Sequence, residues 1–258
     1  GEREINIYYY TALKSPKISI KPHILEYQID NVAELLKTNR KSSNSIKWLH
    51  NIPLFNPISL SYILAINHLN GHIFINTIEN DVIALFNGVK DFCSGIDILV
   101  NNAGISMSGM SWKMELSDWM TTLNTNLTSA FLCTKSALPY MRENNWGRII
   151  NVSSVVAQTG FIGTSAYAAS KAGLYGFTKS VSKEVANKNI TVNTMSYGYM
   201  NAGMIDVLTE DLQAEILAQI PRKQFGPIES IAKTITFLAS EEASYITGQN
   251  IPINGGLA

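Results

Sequence analysis

From residue 72 onward, short apolar runs alternate with segments whose apolar residues recur at helical spacing. The runs HIFIN (72–76) and IDILVNNAG (96–104) end in turn residues, which is typical of buried parallel strands. Between them, DVIALFNGVKDF (81–92) has the spacing of an amphipathic helix. Strands that alternate with helices predict an α/β fold, with a doubly wound parallel sheet and helices on both faces.

The rest of the chain continues this alternation. Two long helices are predicted at about 117–144 and 165–187, the second with Ser165 as its N-cap. A third, at 209–220, begins with acidic residues, and a fourth, at 227–240, has proline at its first position. Further strands are predicted at 147–154, 190–196 and 249–256. In such a sheet, ligands bind beyond the carboxyl ends of the strands.

The first part of the chain has a different composition. Residues 2–70 contain no glycine, and KTNRKSSNS (37–45) has the composition of an exposed loop. We therefore divide the chain into an atypical N-terminal segment, 1–71, and a core, 72–258. Region 200–222 of the core, rich in Met, Leu and Ile, is predicted to be a lid over an apolar substrate. The alternative is an amphipathic helix that only covers the core.

Composition narrows the class of protein. Of 258 residues, 46% are apolar and the formal net charge is zero, so nothing suggests a nucleic-acid or membrane partner. The two cysteines, Cys93 and Cys133, are too few for a disulfide framework and are expected to be reduced. The chain has neither an apolar run long enough to span a bilayer nor metal-ligand spacing, and its first residues lack the pattern of a signal peptide. We expect a soluble cytoplasmic protein without a metal.

Four polar side chains are candidates for chemistry. Asn126 falls in a helix, Ser154 at the carboxyl end of a strand, and Tyr167 and Lys171 near the start of the next helix. Tyr167 and Lys171 are four residues apart and share a helix face. A nearby ammonium lowers the pKa of a phenol from about 10, which would make Tyr167 a general acid–base. A serine hydroxyl can orient a substrate carbonyl. A Tyr-x3-Lys pair alone often arises by chance, so the catalytic prediction depends on all four side chains together.

The motifs around these residues resemble those of short-chain dehydrogenase/reductases, closest to the 3-oxoacyl-(acyl-carrier-protein) and acetoacetyl-CoA reductases. Residues 102, 126, 154 and 167 are spaced by 24, 28 and 13, as in that subgroup. The resemblance covers residues 72–258 and implies a Rossmann-like fold. The matching stretches are DILVNNAG (97–104), NTNL (124–127), GRIINVSSVV (147–156), YAASKAG (167–173), ITVN (190–193) and ASYITGQNIPINGG (243–256).

The resemblance implies an NADP-dependent oxidoreductase of fatty acid metabolism, with NAD possible, that reduces a 3-oxoacyl thioester or similar ketone. Tyr167 would donate the proton, Lys171 would lower its pKa and hold the nicotinamide ribose, Ser154 would position the carbonyl, and Asn126 would anchor a proton-relay water. It also implies a homotetramer or homodimer formed through the two long helices, where GLYGFT (173–178) would suit close helix contact, and the C-terminal strand. The implied cofactor-binding residues are Asn76, Asn102, Ala103, Gly104, Tyr167, Lys171, Gly198 and Met200.

The sequence departs from the family at the phosphate-binding loop, TGxxxGxG, whose glycines let backbone N–H groups approach the pyrophosphate. One alignment puts this loop in 22–37, with Gln28, Val32 and Glu34 at the glycine positions. Another makes 5–15 the second strand and 24–30 the third, with 41–70 inserted. The missing loop leaves a non-catalytic relative, acting in binding or assembly, as the alternative function. A serine hydrolase that uses Ser154 is a weak alternative. The chain lacks both a histidine after His72 and the G-x-S-x-G motif that such an enzyme would need.

The sequence also departs from the family at positions expected near the nicotinamide and at the surface that docks carrier protein in relatives. Tyr197 and Ala202 stand where the family has a proline and a threonine. Asn145 and Lys188 stand at two positions that are basic in relatives that dock carrier protein. The second departure weakens the inference of carrier-protein docking and leaves a CoA-linked substrate open.

Overall fold

The computed structural model describes residues 7–10 (backbone alone), 79, 82, 83, 86, 96–102, 104–201, 205 and 208–258. The predicted strand 72–76, the loop 37–45 and the segments 22–37 and 24–30 lie outside the described residues. Within the predicted helix 81–92, residues 82, 83 and 86 are helical.

The described residues form a five-stranded parallel sheet whose strands follow one another in chain order. β2, β3 and most of β4 are buried, as expected for strands covered on both faces. The predicted parallel α/β architecture is confirmed. The strands are β1 (Ile7–Tyr10), β2 (Ile98–Asn101), β3 (Gly147–Ser154), β4 (Ile190–Tyr197) and β5 (Asn250–Ile253).

The first strand lies directly beside β2, from Ile7 opposite Ile98 to Tyr10 opposite Asn101. One alignment expected a strand in 5–15 but gave it the place of the second strand. A doubly wound sheet commonly has the strand order 3-2-1-4-5-6. β2 takes the place of the fourth strand in that order, with β3 as the fifth strand on one side, so the strand on its other side is the first. β1 therefore occupies the place of the first strand. β3 pairs with one side of the buried β2, and without β1 the backbone N–H and C=O groups on its other side would be unpaired.

The first long helical segment covers 116–144 but is not uniform. A π-helical turn, Asn124–Thr128, separates α1 (Leu116–Leu123) from α2 (Ser129–Asn144). The second, α4 (Ser165–Val185), continues into a 3₁₀ turn over Ala186–Lys188. The remaining helices are α3 (Val156–Thr159), α5 (Glu210–Gln219) and α6 (Ile228–Leu238).

Two predicted N-terminal positions of helices are shifted by one residue. Ser165 is the first residue of α4 rather than its N-cap; Thr164 takes the cap position, and its hydroxyl donates to the Phe161 carbonyl at 2.7 Å instead of accepting from the helix. Pro227 is likewise the N-cap of α6 rather than its first residue. Thr209 caps α5 by accepting a hydrogen bond from the Leu212 N–H at 3.4 Å.

Two apolar clusters place helices on both faces of the sheet. Successive strand residues point to opposite faces, so Ile149 packs with Met141 of α2 and Val185 of α4, whereas Ile150 packs with Leu238 of α6. This division confirms the doubly wound arrangement. None of the helices in the described part of the chain has the length and hydropathy needed to cross a membrane.

Candidate active site

The four predicted catalytic side chains converge at the carboxyl edge of the sheet. Ser154 ends β3, Tyr167 and Lys171 lie one turn apart near the start of α4, and Asn126 lies in the π-helical turn. All four are at least nine-tenths buried. The Ser154 side chain lies close enough to the phenol of Tyr167 to lower its pKa, and the Lys171 Nζ lies 5.9 Å from the centroid of the Tyr167 ring.

Asn126 clamps the loop that follows β2. Its Oδ1 accepts from the Ile105 N–H at 2.8 Å, and its Nδ2 donates to the Ile105 carbonyl at 2.9 Å and to the Ser170 hydroxyl at 2.9 Å. Both N–H bonds of the amide are therefore used, and one lone pair of Oδ1 remains. The π-helical turn, a feature that often marks functional sites, brings Asn126 to this position. That Asn126 anchors a relay water stays a prediction.

Sequence reasoning missed Ser170, which joins Asn126 to the helix that carries Tyr167 and Lys171. Its hydroxyl accepts from Asn126 and donates to the Tyr167 carbonyl at 2.7 Å. A serine directly before the predicted lysine was the available signal. Its position on the face toward Asn126 follows only from how α4 packs against the π-helical turn.

The pKa of Tyr167 moves in the direction opposite to the one expected. Burial raises it, the hydrogen bond from Ser154 lowers it, and the nearby phenol of Tyr199 raises it further. The prediction that Lys171 sets a lowered pKa is wrong for this structure. The reason is geometric, because the ammonium donates to the Val152 carbonyl at 2.8 Å and stays several ångströms from the phenol ring. Tyr167 is therefore a neutral phenol at neutral pH.

Lys171 is fixed at both ends and is only weakly basic. Its carbonyl accepts from the Ser153 hydroxyl at 2.8 Å, while its Nζ bonds to the Val152 carbonyl. Burial lowers the pKa of the ammonium to about 8. Lys171 is therefore mostly charged at neutral pH and loses that charge under mildly alkaline conditions.

Tyr199 is a second residue of the candidate site that the sequence did not predict. It packs against a cluster formed by Val155, Val156 and Tyr167, and against a second cluster that contains Ile216 of α5. Its backbone is held by the Gly226 N–H, which donates to its carbonyl at 2.9 Å. Tyr199 thus connects Tyr167 with the predicted lid, whose residues Ile216 and Ile220 are buried.

The described part of the predicted cofactor site has the groups that a nicotinamide riboside needs. An added Cβ at Gly104 would lie 3.0 Å from the Lys171 Nζ and 3.7 Å from the Asn126 Oδ1, so a side chain there would fill the space beside the lysine. The ammonium has three N–H donors and gives one to Val152, which leaves capacity for ribose hydroxyls. These residues fit the group.

Three of the other predicted cofactor-binding residues, Gly198, Met200 and Asn102, belong to the described part of the chain. Gly198 is required by packing, because an added Cβ would lie 2.7 Å from the Asn254 Cα. Met200 pairs with Gly226 in an isolated bridge at the same edge of the sheet. Asn102 follows β2 directly. Asn76 and Ala103 lie outside the described residues, as do Gln28, Val32 and Glu34 at the expected phosphate loop.

Comparison with known proteins decides the family. Residues 77–258 match the family model described as enoyl-(acyl carrier protein) reductase. The chain belongs to the short-chain dehydrogenase/reductase family. It is therefore an oxidoreductase of a family that uses a nicotinamide cofactor.

Three relatives show how close this short-chain dehydrogenase/reductase is to known members. It is 45% identical to a 3-oxoacyl-(acyl-carrier-protein) reductase of Aquifex aeolicus over 179 residues, 69% of this chain and 72% of the relative. It is 44% identical to nodulation protein G of a Rhizobium species over 180 residues, 70% and 74%. It is 43% identical to an acetoacetyl-CoA reductase of Cupriavidus necator over 172 residues, 67% and 70%.

The structure explains the residue type at two positions of this short-chain dehydrogenase/reductase, 145 and 173. Asn145 ends α2 in the left-handed conformation, with φ of 53°, which asparagine tolerates better than a long basic side chain. Gly173 lies against Leu127 of the same chain, where an added Cβ would approach the Leu127 Cδ2 to 2.7 Å. Gly173 thus makes a contact within one chain, and the predicted contact of 173–178 between subunits stays a prediction.

Proposed function

We propose that this protein reduces the ketone of a 3-oxoacyl thioester, or of a similar carbonyl compound, to a hydroxyl with NADPH as the reductant. The observation that carries the proposal is the convergence of three buried side chains, Ser154, Tyr167 and Lys171, at the carboxyl edge of the sheet. The relatives named as 3-oxoacyl-(acyl-carrier-protein) and acetoacetyl-CoA reductases support the substrate class. NADPH is chosen over NADH from the family resemblance alone.

In this proposal, each residue has one task. The reduced nicotinamide, when bound, supplies a hydride to the carbonyl carbon. The Ser154 hydroxyl, whose oxygen accepts from the Val156 N–H at 3.2 Å, donates to the carbonyl oxygen and fixes its direction. Tyr167 gives its proton to that oxygen. Lys171 holds the nicotinamide ribose with the N–H donors that the Val152 carbonyl leaves free, one of which is lost when the ammonium deprotonates.

The raised pKa of Tyr167 favours the direction of reduction at neutral pH. A proton donor must be protonated before the reaction, and burial keeps this phenol neutral well above pH 7. The reverse oxidation needs a phenolate as the base and should increase toward alkaline pH. Above about pH 8, loss of the Lys171 charge should reduce the rate of carbonyl reduction.

Oligomer formation is also proposed rather than observed. The outward face of α4 exposes Ala169 and Gly176, and an added Cβ at Gly176 meets no atom within 4 Å. Phe131 of α2 lies beside it, in edge-to-face contact with Phe177 at 6.4 Å between ring centroids. Small residues beside an exposed aromatic ring, here Phe131, suit a helix face that is covered by a second copy of the chain.

The test is a reductase assay with acetoacetyl-CoA and with a carrier-linked 3-oxoacyl substrate, each with NADPH and with NADH. We expect Tyr167→Phe to lose at least a hundredfold in kcat while cofactor affinity, measured by calorimetry, is retained. Tyr245→Phe, which changes a fully exposed tyrosine, is the matched control and should behave as wild type. Wild-type rates in Tyr167→Phe would reject the proposal.

The non-catalytic alternative gains no support from the comparisons, since two of the three relatives described above are named as reductases. It would return only if the purified protein bound neither NADPH nor NADH in a saturable manner.

A further inference from the structure

The hydroxyl of Tyr175 contacts the backbone of the proposed catalytic serine. Tyr175 lies on α4 about two turns after Tyr167. Its hydroxyl lies 3.3 Å from the Ser154 carbonyl oxygen and 2.9 Å from the Ser196 hydroxyl. The Ser196 hydroxyl in turn donates to the Asn250 Oδ1 at 2.5 Å. Neither the sequence motifs nor the proposed mechanism gives Tyr175 a part.

The protons of this network can be assigned by counting. Each hydroxyl has one hydrogen to donate. Ser196 gives its hydrogen to Asn250, so it can only accept from Tyr175. Tyr175 is therefore the donor, and its hydrogen is shared between the Ser196 oxygen and the Ser154 carbonyl. The network runs in one direction, from α4 to the ends of the strands.

The Ser154 carbonyl lies at the point where β3 ends. The strand ladder pairs Ser154 with Tyr197 of β4, and the chain then turns into α3. The next amide, Val155 N–H, donates to the Tyr197 carbonyl at 2.6 Å, and the Val156 N–H donates to the Ser154 Oγ. The hydrogen bond from Tyr175 therefore holds the carbonyl group of Ser154, the residue that carries the proposed catalytic hydroxyl.

We infer that Tyr175 is a positioning residue, whose hydrogen bond to the Ser154 carbonyl sets where the Ser154 hydroxyl lies relative to Tyr167. Without that bond the Ser154 carbonyl is released while the Val155 N–H stays bound to Tyr197, and the peptide tilts enough to shift the serine hydroxyl from its place beside the phenol. The inference rests on the proposed function of Ser154. Because Tyr175 does not touch the reacting atoms, it acts only through the serine.

The position of Ser154 has a consequence that can be measured. The hydrogen bond from Ser154 lowers the pKa of Tyr167 against the effect of burial. If Tyr175→Phe displaces the serine, the pKa of Tyr167 should rise further, as it would in Ser154→Ala. A residue that only stabilised the fold would leave this pKa unchanged.

The experiment compares wild type, Tyr175→Phe, Ser154→Ala, the double variant and Ser196→Ala. For Tyr175→Phe we expect kcat to fall about tenfold with the KM of the cofactor unchanged, and the alkaline limb of the oxidation profile to move to higher pH. In the Ser154→Ala background, Tyr175→Phe should cause no further change. Ser196→Ala should retain activity, because the phenol can still donate to the Ser154 carbonyl.

A second readout does not depend on turnover. NMR of isotope-labelled tyrosine follows the ionisation of Tyr167 in each variant, so the positioning role can be tested even if the reductase assay fails. A wild type without reductase activity overturns the proposed function alone. A Tyr167 pKa in Tyr175→Phe equal to that of wild type overturns the positioning role. Equal losses in Tyr175→Phe and Ser196→Ala also overturn it, since the network would then act only on the fold.

Discussion

Replacement of Asn126 by alanine tests the clamp between the π-helical turn and the loop after β2. The change removes the partners of both the N–H and the carbonyl of Ile105, which lie 2.8 and 2.9 Å from the amide. The Ser170 hydroxyl loses a donor but keeps its own bond to the Tyr167 carbonyl. The perturbation is therefore confined to the backbone of Ile105, next to Gly104.

The expected cost follows from the two backbone groups left without a partner. A buried group without its hydrogen bond costs about 1–3 kcal/mol. The Ile105 bonds are only partly buried, so we take the lower end, about 1 kcal/mol for each group and about 2 kcal/mol in total. Displacement of Gly104 toward or away from Lys171 should also weaken cofactor binding, since a Cβ added at Gly104 would lie only 3.0 Å from the Lys171 Nζ.

Asn124→Ala provides the matched control. Asn124 lies on the same π-helical turn, and its Oδ1 accepts only one described bond, from the Thr128 hydroxyl at 3.2 Å. Both variants lose the same atoms and gain the same helix propensity, so these effects cancel in the comparison. Thr128 is partly exposed and can bond to water instead, so Asn124→Ala should cost below about 1 kcal/mol.

The assay is urea-induced unfolding followed by circular dichroism at one fixed protein concentration, because the stability of an oligomer depends on concentration. We expect Asn126→Ala to unfold at lower urea than Asn124→Ala, with a difference of at least about 1 kcal/mol in the free energy of unfolding. Equal free energies for the two variants, within about 0.5 kcal/mol, would refute the clamp.

Two further predictions concern Lys171 and the exposed face of α4. The pKa of Lys171 is lowered by burial to about 8 from 10.5, so the unfolded chain binds a proton that the native state does not between these pH values. The stability of wild type relative to Lys171→Met should therefore rise by up to about 3 kcal/mol from pH 7 to 10.5, and parallel curves would contradict this. Static light scattering should show a tetramer or dimer that Gly176→Lys converts to smaller, still folded species, because nothing lies near an added Cβ there; a monomeric wild type would remove the proposed interface.

Local patterns were sufficient for most of the elements. The strand predicted at 147–154 has those bounds in the structure, and the helix predicted at 209–220 differs by one residue at each end. The Tyr167 and Lys171 pair shares a helix face as its spacing predicts. Such features depend on neighbours within a few residues, so a single sequence carries them.

Caps and interruptions were not predictable in the same way. The π-helical turn at Asn124–Thr128 does not change the apolar period enough to be read from the sequence. The Thr164 hydroxyl bonds backward to Phe161 rather than to its helix, which puts Ser165 inside α4. These choices depend on which of several hydrogen bonds the surrounding chain makes available.

The sequence by itself determined the alternation of strands and helices, the family to which the chain belongs and the residues that meet at the carboxyl edge of the sheet. Only the tertiary structure decided that Asn126 holds Ile105, that Tyr175 reaches the Ser154 carbonyl, and that burial raises the pKa of Tyr167. The physical reason is that hydrogen bonds and desolvation depend on atoms from elements far apart in the chain. Spacing along the sequence fixes which face a side chain takes, but not which group it meets there.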